Sequence, residues 1–309
     1  MTLSEGIVIV LGLILFEVIS SIDNAVVNAD VLVTMSPKAR RWFLLYGIVI
    51  AVFLVRGMLP LLIVYFSNPS IGIVHAFTAT FSSDASVRDT IEARKPILLA
   101  GGGIYLVLLF FHWLFVEPKK YAFFLERHIH ARYSFWFYAA AAVLLLAAVW
   151  ATIGVSPLTA LGAVVGSTAF FITNGFKSNA EQKEKELTHN KQLSDISKIL
   201  YLEVIDTAFS IDGVLGAFAF TISVPLILLG NGLGAFIVRY VTVHGVHIVK
   251  KYQYLKNGAM YSIGALGLIM LGEALGVYAA AWLPPAITLT VVSIFFWLSK
   301  RELQIEKAI

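Results

Sequence analysis

A chain of 309 residues with 59% hydrophobic and only 14% charged residues, and a mean hydropathy of +0.83, is too apolar for a soluble globular protein, whose apolar share is about 45 to 50%. Composition therefore predicts a polytopic membrane protein, and the net charge of +4 becomes a matter of which loops face which side, with no nucleic-acid partner implied. The absence of cysteine excludes disulfides, thiolate metal sites and cysteine nucleophiles together.

The N-terminal apolar run lacks a basic leader and a small-residue cleavage site, so it reads as a retained first span and not as a cleaved signal. Runs of about 17 to 25 apolar residues suffice to cross a bilayer. Such runs fall at residues 5–26, 42–66, 97–116, 134–154, 157–176, 199–222, 225–248, 258–280 and 284–299. The last is opened by Pro284-Pro285, where proline's missing N–H costs a helix least. The expected fold is all-α, a single transmembrane domain of nine helices.

Lysine and arginine orient these spans. With the N-terminus outside, the cytoplasmic loops hold eighteen of the 23 basic residues: Lys38, Arg40, Arg41, Lys119, Lys120, Arg127, Arg132, Lys177, Lys183, Lys185, Lys191, Lys198, Lys250, Lys251, Lys256, Lys300, Arg301 and Lys307. The outside loops hold Arg88, Arg94 and Lys95, while Arg56 and Arg239 fall inside spans. The bias predicts the N-terminus outside and the C-terminus inside.

Two of the spans carry acids. The first reads Phe16-Glu17-Val18-Ile19-Ser20-Ser21-Ile22-Asp23-Asn24; the sixth reads Tyr201-Leu202-Glu203-Val204-Ile205-Asp206-Thr207-Ala208-Phe209-Ser210-Ile211-Asp212-Gly213. Setting Ser21-Ile22-Asp23 on Ser210-Ile211-Asp212 sets Glu17 on Asp206, so an acid precedes the aspartate by six residues in both. Ionisable groups at membrane depth cost at least about 2.5 to 3.5 kcal/mol each on insertion scales, which marks a duplicated set as functional. Five spans precede the second copy, so the two motifs run antiparallel. Gly47 and Arg56 in span 2 match Gly230 and Arg239 in span 7. The expected organisation is an inverted repeat: residues 5–116 and 199–280 as the repeats, connector helices at 134–176, a cytoplasmic linker at 177–197 and an extra helix at 284–299. Such repeats place a site at the midplane, often on broken helices. The first apolar run continues through Asn28 and Asp30 to Val33, too long and too polar for one simple span.

Between the spans the pattern is plainer. Residues 67–96 carry Ile71, Val74, Phe77 and Phe81 at helical spacing, which suits a helix lying at the interface. Residues 177–197 are of mixed charge, with Glu181 and Lys185 four apart, and read as a solvated helix or linker.

Glu, Asp, Asn and Ser without Cys make an all-oxygen site, which selects hard or borderline divalent cations such as Mg2+, Ca2+ and Mn2+. On an ideal helix Glu17, Ser20, Ser21 and Asn24 share a face, whereas Asp23 lies about 120° round from Glu17, as Asp212 does from Asp206. Either the helices unwind between the acids, or one acid of each pair binds the ion while the other meets Arg56 or Arg239. Two acids from each of the two helices could neutralise a dication, with Arg56, Arg239, Ser20, Ser21, Ser210 and Glu203 balancing charge or supporting them.

These residues carry a resemblance. The Glu17-to-Asp23-Asn24 motif, the Asp206, Phe209 and Asp212 motif, and the arginine in the helix after each resemble the TerC family of bacterial membrane proteins, associated with tellurium resistance and manganese export. The resemblance covers spans 1 to 3 and 6 to 8. It implies a multi-pass protein of the bacterial inner membrane, with Glu17, Asp23, Asn24, Asp206 and Asp212 as the metal-binding residues along the ion pathway. Family members usually have fewer spans and read Ser-Ile-Pro after the second aspartate, where this chain has Gly213-Val214-Leu215, as a divergent branch would. The function expected is export of a divalent cation, Mn2+ first, in exchange for protons, with lipids as surroundings, no tightly bound cofactor and no enzymatic activity. The oligomeric state is left open.

Plainer readings stand beside these. The four acids also fit buried pairs that fix helix packing through Arg56 and Arg239, and Glu203 and Glu273 also fit interfacial positions. His112 reads as a packing or interfacial histidine; His128 and His130 sit in a basic loop; His244 and His247, three apart, suit an ion entrance. Gly101-Gly102-Gly103, Gly162 and Gly166 suit close helix approach. An intramembrane aspartyl protease would use two aspartates on two helices, but the Tyr-Asp and Gly-x-Gly-Asp contexts are missing. A non-transporting scaffold of a metal or tellurite stress-response assembly is the alternative to a carrier.

Overall fold

The computed structural model describes residues 2–21, 25, 28–29, 31–49, 58, 65, 85–119, 121–129, 134–189, 194–244 and 251–306. Asp23, Asn24, Arg56, His130, Arg132 and His247 lie outside them, as does the segment bearing Ile71, Val74, Phe77 and Phe81.

Among the described residues the architecture is all-α. The helices are α1 (Leu3–Ser20), α2 (Pro37–Val49), α3 (Ala85–Phe115), α4 (Trp136–Ile153), α5 (Pro157–His189), α6 (Asp195–Ala217), α7 (Val224–His244), α8 (Leu255–Ala274) and α9 (Leu283–Glu306), with a short 3-10 turn at Leu125–Arg127. Among the described residues, six stretches are long and apolar enough to cross a membrane: Leu3–Ser20, Glu92–Phe115, Trp136–Ile153, Pro157–Asn179, Val224–Thr242 and Leu283–Ile305. Their outer faces are apolar, with Leu3, Ile7 and Leu11 of α1, Val143, Leu146 and Trp150 of α4 and Phe236 of α7 exposed. Such surfaces suit lipid and not water.

Two expected spans, the sixth and eighth, are continuous helices without being uniformly apolar. Helix α6 carries Asp195, Lys198, Glu203, Asp206 and Asp212, and α8 carries Lys256, Asn257 and Glu273. Helix α8 is packed between α3 and α9, and Gly258, Ala259, Ser262, Gly264 and Gly267 are buried there. A helix wrapped by protein needs small residues for close packing more than it needs lipophilicity. The second expected span, 42–66, is described only at 42–49, 58 and 65.

Element ends also differ from the pattern. Helix α3 starts at Ala85 and runs unbroken through Pro96, so the end of the expected outside segment is part of a membrane helix. Helix α5 continues past residue 176 to His189, which puts Lys177 in a helix and not in a loop. Helix α1 starts at a capping box, in which Thr2 Oγ1 accepts from the Glu5 N–H at 3.3 Å and Glu5 Oε2 accepts from the Thr2 N–H at 2.7 Å. That reciprocal bonding satisfies two of the four donors a helix start leaves open.

Packing centres on α3. A Cβ on Gly166 of α5 would stand 2.0 Å from the Gly101 carbonyl oxygen, and Cβ atoms on Gly103 of α3 and Gly267 of α8 would each stand 3.0 Å from the other's carbonyl oxygen. The glycine runs thus bring backbones into contact on both flanks of α3. Around them Leu13, Phe16, Ile104, Tyr105, Leu106, Trp113, Phe137, Phe170, Leu266 and Met270 form the main core. His112 packs edge-on against Phe137 and Phe170, with centroids 5.4 and 6.1 Å away, as a packing histidine does.

The loop after α3 is pinned by a carboxylate that composition did not single out. Glu126 is buried and accepts bonds from the Phe123 N–H at 3.1 Å and from the Asn257 amide and Tyr261 hydroxyl of α8. Burial pushes its carboxyl up, but these bonds outweigh burial and hold it below the ordinary value.

Candidate functional site

The site is organised by α6. Ser194 caps it, accepting from the Ser197 N–H at 3.2 Å, and the helix runs without interruption from Asp195 to Ala217. Of the two arrangements the spacing left open, unwinding is therefore absent from α6, and its two aspartates face different neighbours.

On one face, Asp206 Oδ2 accepts from Arg239 Nη2 at 2.7 Å, while Arg239 Nη1 reaches Glu203 Oε1 at 3.5 Å and the Phe43 carbonyl at 2.8 Å. The guanidinium carbon also lies 4.3 Å from the centre of the Phe43 ring. All three charged side chains are buried. One cation thus faces two carboxylates, and a planar fork with fixed donors suits that task better than an ammonium would. Gly47 of α2 makes room: a Cβ there would stand 2.0 Å from Glu203 Oε1 and 2.3 Å from Arg239 Nη1. The α2–α6 contact is completed by Val31, Leu32, Met35, Ala39, Phe43, Ile199 and Leu202 and by Ser36 Oγ, which bonds Asp195 Oδ2 at 2.5 Å.

On the other face, Asp212 turns to α3 and α5. Its Oδ1 accepts from the Tyr105 hydroxyl of α3 at 2.5 Å and its Oδ2 from Lys177 Nζ of α5. Tyr105 and Thr173 share a further hydroxyl contact of 2.9 Å. Lys177, expected among the cytoplasmic loop charges, is 8% exposed and paired with an acid of the site. Sequence reasoning missed it because the apolar run read from the sequence ends at residue 176.

Glu17 enters from α1 and is 0% exposed. Ser21 donates to its Oε1 at 2.7 Å. A Cβ on Gly213 of α6 would lie 2.7 Å from Glu17 Oε2, and one on Gly234 of α7 would lie 2.6 Å from Glu17 Cβ. The glycine after the second aspartate therefore has a steric task, to admit this carboxylate. Beside it Asn231 of α7, wholly buried, donates to the Gly213 carbonyl at 3.4 Å, and its Oδ1 meets no donor among the described residues. Asn231 was absent from the expected set; an isolated Asn in an otherwise apolar span was the available signal.

Ser20 and Ser210 donate to backbone carbonyls of their own helices, Ser20 to Glu17 at 3.3 Å and Ser210 to Asp206 at 2.6 Å. Glu273 lies at the far end of α8, 3.4 Å from Lys95 Nζ, away from this cluster. His128 is exposed beside the Phe124 carbonyl. Among the described residues no group of three His, Asp or Glu side chains converges on one point. Glu17, Asp206, Glu203 and Asp212 are instead distributed around α6, with Arg239 and Lys177 set against the acids of that helix.

A family model described as "Protein of unknown function (DUF475)" matches residues 22–301. A stretch of 76 residues is 36% identical to the uncharacterized membrane protein YceF of Bacillus subtilis (strain 168), covering 25% of this chain and 30% of that protein. No solved structure matches the chain.

Proposed function

This chain belongs to the DUF475 family, and we propose that it is a membrane carrier that exports a divalent cation, Mn2+ first, through a carboxylate site near the bilayer midplane, with protons as the counter-ion. The observation that carries this reading is the set of buried acids. Glu17, Glu203 and Asp206 are buried and Asp212 is half-buried around α6, with Arg239 and Lys177 set against the acids of that helix. Carboxylates at such depth are costly unless cations or protons balance them. Their oxygens, with the carbonyl of Asn231, suit a hard dication.

The finer organisation belongs to the same proposal: nine spans, N-terminus outside, spans 1 to 3 repeated inverted as spans 6 to 8, in a bacterial inner membrane. Two contacts support it. Gly47 and Gly230, at matching places in the repeats, press respectively on Glu203 of α6 and Leu13 of α1, which are the matched acid-bearing helices. The third helices of the two repeats, α3 and α8, pack against each other through Gly103 and Gly267. The TerC resemblance adds manganese as the first cation to try.

Purified protein in vesicles loaded with labelled Mn2+, Mg2+ or Ca2+ tests the proposal. A carrier releases at least one of these cations faster than protein-free vesicles do, and an outward-directed flux answers to an imposed proton gradient. No release of any of the three above the protein-free rate would favour the scaffold.

A further inference from the structure

We infer that Lys177 is a tethered counter-cation, which occupies Asp212 in the conformation seen here and has to leave it before a transported cation binds there. The inference rests on the carrier reading and specifies how one of its acids is kept neutral between cargoes.

Both oxygens of Asp212 are engaged, Oδ1 by the Tyr105 hydroxyl at 2.5 Å and Oδ2 by the Lys177 ammonium. A dication approaching this carboxylate meets an ammonium already in its place, so the two compete for one position. Lys177 and Tyr105 differ in how they can yield. Tyr105 sits in the core and is held by Thr173 at 2.9 Å, one turn before Lys177 on α5. Lys177 ends in a flexible four-carbon stem with a compact, strongly hydrated charge. It stands two residues before the end of the apolar stretch Pro157–Asn179, so its stem can carry the ammonium towards the polar end of the helix, as lysines near membrane borders do. Helix α5 continues unbroken to His189.

The charged surroundings leave Lys177 a choice of fields. From α6 it meets Asp212; from α3 come Tyr105 and His112, the latter 3.9 Å from Glu117, which is itself paired with Lys256 of α8 at 2.7 Å. The Arg239 cluster on the opposite face of α6 is built differently. Its guanidinium is held at once by a backbone carbonyl, two carboxylates and an aromatic ring. One acid of α6 is therefore locked and the other is covered by a group that can withdraw.

Calorimetric titration of Mn2+ into purified wild type, Lys177→Gln and Lys177→Arg at one fixed pH tests this. Removing the competing charge in Lys177→Gln should tighten binding by about tenfold or more, while Lys177→Arg, which keeps the charge, should not tighten it. Unchanged or weaker binding in a folded Lys177→Gln protein overturns the inference while leaving the carrier proposal standing. Wild type that binds none of Mn2+, Mg2+ or Ca2+ overturns both. A second measurement needs no variant: acylation of Lys177 in wild type, followed by mass spectrometry, should rise on addition of saturating Mn2+ as the amine is released. Protection or no change under those conditions contradicts displacement.

Discussion

Asp206 and Asp212 stand six residues apart on one unbroken helix, yet the protein treats them in opposite ways. Asp206 is paired with an arginine whose position is fixed by the Phe43 carbonyl and ring and by Glu203. Asp212 is paired with a lysine at the edge of the apolar part of α5 and with a core tyrosine. The difference follows from helix geometry, since six residues turn a side chain through about 120° and so bring it to a different neighbour. It teaches that identical acids in an apparent repeat need not do the same work: a rigid pair sets helix packing, and a pair with a mobile partner can exchange it.

The largest expected effect lies on the rigid side. Arg239→Ala leaves Asp206 and Glu203 buried without their cation and should cost on the order of 3 to 5 kcal/mol, read as a fall in thermal stability in detergent. A loss no greater than that of Lys177→Ala would erase the contrast between the two pairs. Gly47→Ala should come next, destabilising by about 1 to 3 kcal/mol, because its Cβ would stand 2.0 Å from Glu203 Oε1. Wild-type stability in that variant would show that the cluster can shift, against its being locked.

On the exchangeable side the effect is smaller than that of Arg239→Ala. Tyr105→Phe removes one donor to a charged acceptor and should cost about 1.5 to 3 kcal/mol or less, since Lys177 still serves Asp212. A cost equal to that of Arg239→Ala would place the rigid pair on the wrong face of α6.

Much of this was legible in advance. The spans of α1, α3, α4, α5, α7 and α9 showed as apolar runs, and the acids of α6 stood out because charge inside such a run is rare. Gly101, Gly103 and Gly166 were readable as close-approach residues because membrane helices pack through small side chains. Lys177 was not legible. Its burial depends on α5 continuing beyond the apolar run and on Asp212 being across from it, and neither is local. Asn231 and Tyr105 were hidden for a related reason: a single polar group in an apolar helix becomes meaningful only when its partner helix is known. Glu126 belongs to the same class, because Asn257 and Tyr261 are far from it in sequence.

The smallest effect concerns that loop and serves as a control away from the acids of α6. Hydrogen bonds hold the Glu126 carboxyl below its ordinary value, so the ionised form is the one the fold favours. Its contribution to stability is complete above the ordinary carboxylate range, near pH 4, and is lost as pH falls through the lowered folded value. The stability gap between wild type and Glu126→Gln should accordingly be constant from about pH 8 to pH 5 and shrink in stronger acid. A gap that widened on acidification would have the wrong sign.

Flux of labelled Mn2+ from vesicles containing wild type or Asp212→Asn, run side by side under an imposed proton gradient, tests the central claim most directly. Wild type should release Mn2+ and Asp212→Asn should match protein-free vesicles while keeping its helical content. Equal release from the two proteins would contradict a route through this carboxylate.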